Sequence, residues 1–388
     1  MMQYDPAITL PLMALGGILL LSLIWDHGGD DGGGKKHDPD PHEVNGTSGD
    51  DQITAEDGFT GTIHGQGGDD RITVNSGDNP ALDHIRTGVG DVEWHNSTQP
   101  GSEYPGSSKH FPHGLTVVDG GSGNDTISVQ SGAAHILDSK GADLVDLRQA
   151  HNAVAYGGKG DTIVGSNQSG ANIDAFIEGR GEFQGGTASE HATALGDGAK
   201  IHGGKGNDTL MSDDGAAHLI GGAGNDVLYG SVKDDAFNPK NAGKFGNYMD
   251  DARDTLEGGQ GNDVIHFSNK DIVSGGDGDD RFYAEVNPGD AAQLSDFTPG
   301  KENVWVSIQD KSKTVQEFSS RIGLAEVNGD SVLYVDGKAT VNLAKTSGLT
   351  VGFTRDDGDS FYDTAGKRVE WSDLDIIVSN KATPTKIA

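Results

Sequence analysis

The residues best suited to chemistry in this chain are aspartates that follow glycine-rich turns at a fixed spacing. The run GGSGNDTIS begins at Gly120, and related runs begin at Gly203, Gly221, Gly258 and Gly275. Glycine adopts positive φ at little cost, so successive backbone carbonyls can turn toward one point. The Asp at position 6 of each run adds a negative charge. Carbonyl and carboxylate oxygens are the ligands of a hard cation such as calcium, so each run predicts a calcium site.

The element that positions these oxygens is predicted by the rest of the pattern. Position 8 is apolar in all five runs, so the last three residues of each form a short strand with that side chain buried. These apolar residues are Ile127, Leu210, Leu228, Ile265 and Phe282. The acids recur every 17 to 19 residues, as at Asp125, Asp143 and Asp161. This spacing equals two nonapeptides, so it predicts an all-β solenoid in which turns about 18 residues apart stack on the same side.

The predicted calcium ligands are the position-6 acids together with oxygens at positions 1 and 3 of the intact runs. The acids are Asp51, Asp70, Asp125, Asp143, Asp161, Asp208, Asp226, Asp254, Asp263, Asp271 and Asp280. The residues at positions 1 and 3 are Gly120, Ser122, Gly203, Lys205, Gly221, Ala223, Gly258, Gln260, Gly275 and Asp277. Opposite strands lack the motif in most coils. We therefore expect one main row of ions, with a second row only near Asp254–Asp280.

The nonapeptide resembles the calcium-binding repeat of RTX (repeats-in-toxin) proteins, which implies that the solenoid is a parallel β-roll or β-helix that folds on binding calcium. A second resemblance begins at Leu294, where LSDFTPGKENV is similar to the I-x-D-F-x-x-G-x-D-x-I segment that follows the repeats in serralysin-type proteins. Glu302 stands where that segment usually has Asp. The resemblance implies that residues 286–388 cap the roll and carry an uncleaved signal for a type I secretion machinery. It implies an extracellular or cell-surface protein of a Gram-negative bacterium.

The composition favours a thin solenoid rather than a fold with a large globular core. The chain of 388 residues contains 61 glycines, is 33% hydrophobic and has a net charge of −32. Such a surface excludes nucleic acid as a partner, because phosphate binding needs a basic surface. Without calcium the acidic repeats repel one another, so the calcium-free chain is expected to be largely disordered. The absence of cysteine excludes disulfides and zinc–thiolate sites.

The chain divides into four predicted segments. Residues 1–27 contain an uncharged apolar run, residues 7–25, long enough for a membrane-spanning helix. Its acidic start favours a membrane anchor or an export-related helix over a cleaved signal. Residues 28–44 form a flexible acidic linker. The repeat array covers residues 45–285, with insertions near 75–118 and 230–252, and the C-terminal region follows.

No catalytic motif is evident, so a non-enzymatic structural, adhesive or surface role is favoured. H-E-x-x-H, G-x-S-x-G and Walker A patterns are absent. The alternative is a secreted alginate or pectin lyase or epimerase that uses the degenerate coils at 75–200 to bind an acidic polysaccharide. The string Asp40-Pro41-His42-Glu43 matches part of an alginate-epimerase motif, but it lies in the linker. His95, His110 and His113 could bind a metal, although their spacing fits no known ligand set. A pore-forming toxin would need a longer apolar region.

Overall fold

A computed structural model of the protein describes residues 42–76, 116–137, 140–213, 215–231, 252–308, 314–354 and 360–380. Within these ranges the chain forms a parallel β-solenoid of about 11 turns, with about 19 residues per turn. The expectation of an all-β solenoid is therefore confirmed. The described residues contain only two helical elements, α1 (Val315–Ser319) and a 3₁₀ helix (Trp371–Asp373).

The coils contribute alternate strands to two sheets that face each other. Sheet 1, in spatial order, contains β1 (His42–Asn45), β3 (Gly61–His64), β5 (Thr116–Asp119), β7 (Ala133–Leu137), β9 (Asn152–Gly157), β11 (Asn172–Glu178), β13 (His191–Leu195), β15 (Thr209–Ser212), β17 (Val227–Tyr229), β19 (Val264–Phe267), β21 (Arg281–Glu285), β23 (Asn303–Ser307), β30 (Ile376–Ser379), β27 (Val351–Thr354), β28 (Phe361–Asp363) and β29 (Arg368–Val369). Sheet 2 contains β2 (Gln52–Phe59), β4 (Arg71–Ser76), β6 (Thr126–Ser131), β8 (Leu144–Asp146), β10 (Thr162–Val164), β12 (Glu182–Gln184), β14 (Lys200–Lys205), β16 (His218–Ala223), β18 (Thr255–Gln260), β20 (Ile272–Asp277), β22 (Ala292–Leu294), β26 (Lys338–Leu343), β25 (Asp330–Val335) and β24 (Ile322–Val327).

A single narrow core fills the space between the sheets. The five apolar residues at position 8 are all at most 1% exposed, as their pattern predicts. Equivalent positions pair in register from coil to coil, for example Leu210 with Leu228 and Leu228 with Ile265. The middle coils fill the same space with smaller side chains such as Ala192 and Ala194. Because side chains alternate between the faces of a strand, this core fixes the register of every acidic turn.

The outer face of sheet 1 carries aromatic stacks that the repeat pattern did not predict. The ring of His266 lies between Tyr229 and Tyr283, with centroid distances of 4.6 and 4.9 Å. Burial lowers the pKa of His266 to about 3, so the ring is neutral. A second stack joins Tyr156 to Phe176 at 4.8 Å. These side chains shield the sheet where polar residues are usual for a solvated face.

The parallel winding continues beyond the predicted end of the array at residue 285. Strands β22 and β23 add a further coil, and β23 pairs in parallel with β21. Antiparallel pairs then appear, β24 with β25 and β25 with β26, and all of them extend the solenoid sheets. The capping role of residues 286–388 stays a prediction.

Several predicted segments fall wholly or mostly outside the described residues. These are residues 1–27, the linker up to residue 41, and the two insertions. Residues 75–76 belong to β4 and residues 116–118 to β5, so both are ordinary coil strands. Among the described residues, no helix is both long and apolar enough to cross a membrane.

Candidate metal centres in the acidic turns

The acidic turns lie on both edges of the solenoid. We call edge 1 the side where the chain passes from sheet 1 to sheet 2, and edge 2 the side where it returns. The acids that directly precede sheet 2 strands, on edge 1, are Asp51, Asp70, Asp125, Asp143, Asp161, Asp254 and Asp271. Those that directly precede sheet 1 strands, on edge 2, are Glu190, Asp208, Asp226, Asp263, Asp280 and Glu302.

The acids therefore do not lie in one main row, although both edges carry acids near Asp254–Asp280, where a second row was expected. The occupancy of the rows by ions stays a prediction. The edge 1 row is interrupted after Asp161, because the next three coils place Gly181, Ala199 and Ala217 at that register. The acids resume on edge 2 at Glu190 and Asp208. The sequence contains the signal for this change, since 47 residues separate Asp161 from Asp208, which is no multiple of the coil length.

In most of these acids one carboxylate oxygen accepts a hydrogen bond from the neighbouring coil. The backbone N–H of Asp208 donates to Oδ1 of Asp226 at 2.8 Å, and Asp226 donates in turn to Asp263 at 2.8 Å. The same contact joins Asp70 to Asp125 on edge 1, also at 2.8 Å. Along this ladder the aspartates share one orientation, with the second oxygen turned into its own turn.

Eleven of the 13 acidic turns are described in full, because residues 138–139 of the Asp143 turn and 249–251 of the Asp254 turn are not among the described residues. In six of the 11, that second oxygen has no hydrogen-bond donor among the described residues. The six atoms are Oδ2 of Asp70, Asp125, Asp208, Asp226, Asp263 and Asp280. All six side chains are at most 2% exposed. A buried carboxylate oxygen without a partner destabilises the folded state, so we expect a positive charge beside each of these six oxygens.

Backbone oxygens meet these carboxylates at position 1 of the turn. The point where a Cβ of Gly203 would lie is 2.5 Å from Oδ2 of Asp208 and 2.6 Å from the carbonyl oxygen of Gly221 in the next coil. The same point at Gly221 is 2.5 Å from both Oδ2 of Asp226 and the carbonyl oxygen of Gly258. Glycine is required here because oxygens occupy the space of a side chain. A carboxylate oxygen and a backbone carbonyl oxygen that converge on one region are the kind of ligands that calcium prefers.

The other positions of the turn have different partners. Carbonyls at position 3 accept hydrogen bonds from position 4 of the preceding coil, as Ala223 does from Gly206 at 2.9 Å and Gln260 from Gly224 at 2.8 Å. The oxygens at position 1 thus converge on the acids, whereas those at position 3 also join the coils. At position 2, φ is positive in all six turns, including Gln66 at 76°.

Position 5 has a role that the sequence analysis missed. The side-chain Oδ1 of Asn207 accepts the backbone N–H of Asn225, and Oδ1 of Asn225 accepts that of Asn262, both at 2.8 Å. On edge 1, Asp69 accepts from Asn124 at 2.7 Å. In this ladder the later coil donates to the earlier one, whereas in the ladder of position-6 acids the earlier coil donates to the later one. The recurrence of Asn or Asp at position 5 was the available signal.

Burial of the acids changes their protonation. It raises the pKa of Asp70 and Asp125 to about 6 and the pKa of Asp208 and Asp263 to about 7. Backbone hydrogen bonds oppose this rise, while repulsion from neighbouring acids adds to it. Asp208 and Asp263 are therefore only partly charged at neutral pH, and a positive charge in the turn would favour their fully charged form.

The other candidate sites from the sequence lie mostly outside the described residues. Asp40 and Pro41 lie outside the described residues, as do His95, His110 and His113, and Glu43 is exposed. Among the described residues, no group of three or more His, Cys, Asp or Glu side chains is placed to hold one metal ion. Each centre instead combines one carboxylate with backbone carbonyls, a donor set that suits calcium over zinc or copper.

A parallel solenoid whose stacked turns present carboxylate and carbonyl oxygens defines a calcium-binding repeat protein. The family model of the RTX calcium-binding nonapeptide repeat, which spans four copies, matches residues 62–79, 117–147, 202–236, 250–266 and 268–286. The chain thus carries RTX repeats, and calcium is its cofactor. No curated protein matches the chain.

Proposed function

We propose that the protein is an exported solenoid that calcium folds once the chain has left the cytosol, and that its role is structural or adhesive at the cell surface or beyond it. The observation that carries this proposal is the set of six buried, unpartnered Oδ2 atoms at Asp70, Asp125, Asp208, Asp226, Asp263 and Asp280. These acids, with position-1 carbonyls of the next coil, are the proposed ligands. Calcium supplies the positive charge that joins adjacent turns.

The energetics make calcium decisive for folding. Extracellular modules bind calcium with Kd values of about 10⁻⁴–10⁻³ M. A site at ten times its Kd contributes about 1.4 kcal/mol by mass action. Several such sites together match the whole stability of an ordinary domain, about 5–15 kcal/mol. Cytosolic calcium lies well below these Kd values, so the chain stays unfolded until export.

Calcium-dependent folding can be tested on the full-length chain by far-UV circular dichroism. In EGTA we expect the spectrum of a disordered chain, and millimolar calcium should restore the β signal. Magnesium at the same concentration is the control, because it demands octahedral geometry and gives up its water reluctantly. A spectrum that is equally β-rich in EGTA and in calcium would overturn the proposal.

The export route is a separate part of the proposal. The segment from Leu294 that resembles a serralysin-type post-repeat region supports type I secretion through residues 286–388. A secretion assay should show that a chain ending at Val286 stays in the cell while the full-length chain is released. Equal release of both chains would exclude a signal in this region.

A further inference from the structure

Among the 11 acidic turns that are described in full, five differ from the other six by a backbone hydrogen bond to the acid. In these five, the second carboxylate oxygen accepts the backbone N–H of the second residue of its own turn. The pairs are Thr47 with Asp51 at 2.5 Å, Ser268 with Asp271 at 2.6 Å, Thr298 with Glu302 at 2.6 Å, Gly186 with Glu190 at 2.7 Å, and Gly158 with Asp161. The oxygen that calcium would bind already has a donor.

The backbone conformation of the second residue separates the two kinds of turn. In the six turns with an unpartnered oxygen its φ is positive, from 76° to 114°, at Gln66, Gly121, Gly204, Gly222, Gly259 and Gly276. None of the five donor residues is among the described residues with positive φ. A change in the sign of φ rotates the peptide plane, which directs the N–H either away from the acid or toward it.

We propose that in five turns this N–H replaces calcium, so that Asp51, Asp161, Glu190, Asp271 and Glu302 hold no ion. The proposal rests on the proposed calcium occupancy of the other six turns. An amide hydrogen carries partial positive charge, so it satisfies the carboxylate and also repels a cation from the same space. Calcium needs six to eight oxygens, and an N–H that points inward removes room for them.

The positions of these five turns in the solenoid indicate what the N–H contact does. Asp51 lies in the first described coil, and Glu302 lies in the last coil before the antiparallel strands begin. Asp161 ends the longer stretch of acids on edge 1, and Glu190 begins the row on edge 2. The metal-free turns therefore mark where a row of ions stops. They satisfy an acid at the first or last turn of a row, where the coil on one side offers no matching turn.

Thr47 allows a gain-of-site experiment. The substitution Thr47→Gly converts GTSGDD at residues 46–51 into GGSGDD, and glycine at position 2 can adopt positive φ. The carbonyl of Gly65 in the next coil already faces Asp51 at position 1. Native mass spectrometry of the full-length chain in calcium should count one more bound ion than in the wild type. Ser48→Gly, at the adjacent position 3, is the matched control and should leave the count unchanged.

Two further variants give the complementary result. Asp226→Asn, in a turn with an unpartnered oxygen, should lose at least one ion, whereas Asp161→Asn should keep the wild-type count. An unchanged count for Thr47→Gly, or the loss of an ion from Asp161→Asn, would overturn the inference. A wild-type chain that binds no calcium would instead overturn the proposed function. The failures of the two proposals are thus distinguishable.

Discussion

At the scale of single residues, the nonapeptide is a set of positions with separate tasks. Position 1 leaves room for oxygens, position 5 supplies a ladder of acceptors, position 6 supplies charge and position 8 fills the core. The sequence predicted positions 1, 6 and 8, because glycine, a buried acid and an apolar residue each have few alternative uses. Position 5 was missed, because a single Asn in a glycine-rich turn is also the ordinary choice for a solvated loop and only its recurrence signals the ladder.

The close approach of stacked turns predicts a large effect at position 4. Gly224 has φ of 147°, and a Cβ there would overlap the carbonyl oxygen of Gly206 in the preceding coil. We expect Gly224→Ala to destabilise the calcium-loaded protein by at least about 2 kcal/mol, from strain and overlap together. Gly49 holds the same turn position in the first described coil and has open space around it, so Gly49→Ala should change stability by less than about 0.5 kcal/mol. Thermal unfolding in saturating calcium measures both variants.

The position-5 ladder predicts a smaller, separable effect. Asn225→Ala removes the acceptor for the N–H of Asn262 and should cost about 1 kcal/mol without changing the number of bound ions. Asn225→Asp keeps the acceptor, as Asp69 does on edge 1, and should restore most of the loss. If Asn225→Ala removes an ion, position 5 belongs to the metal centre and its assignment to the ladder is incorrect.

At the scale of elements, the sequence predicted the solenoid but not the distribution of its acids. The 17- to 19-residue spacing predicts the length of one coil, and the apolar residue at position 8 predicts the register between strands of adjacent coils. The move from edge 1 to edge 2 was missed because Glu190 lies in GGTASE, which lacks two features of the motif. The five turns in which a backbone N–H donates to the acid were missed because the sequence does not reveal φ at position 2. Gln66 shows this, since its φ is positive although it is not glycine.

The aromatic stack on sheet 1 gives a prediction for the strands. His266 is 6% exposed between two tyrosine rings, so His266→Ala should destabilise the protein by about 2 kcal/mol. His218 is the matched control. It lies on sheet 2, its contact with Glu257 is solvent-exposed, and His218→Ala should cost less than about 1 kcal/mol. Equal effects in calcium-loaded unfolding would show that the stack adds nothing.

At the scale of the whole molecule, protons and calcium compete for the same buried acids. In the calcium-free fold the pKa values of Asp70, Asp125, Asp208 and Asp263 rise from 3.8 to about 6–7. The folded state then binds more protons than the unfolded state between these values, so its stability falls as the pH rises through 6–7. Calcium requires the charged form, so its stabilising effect weakens as the pH falls through the same window.

This competition predicts opposite pH dependences with and without calcium. In EGTA, β structure measured by circular dichroism should increase as the pH is lowered from 8 to 5. The calcium concentration at half-folding should rise over the same change. Parallel pH profiles in EGTA and in calcium would contradict the assignment of these acids as shared proton and calcium sites.

The most direct test of the account is to locate the ions. Crystals of the full-length protein grown in calcium, measured at long wavelength, should show anomalous peaks beside Oδ2 of Asp70, Asp125, Asp208, Asp226, Asp263 and Asp280. The turns of Asp51, Asp161, Glu190, Asp271 and Glu302 should show none. A folded protein without peaks at the first six positions would contradict the central claim that calcium occupies the unpartnered carboxylates.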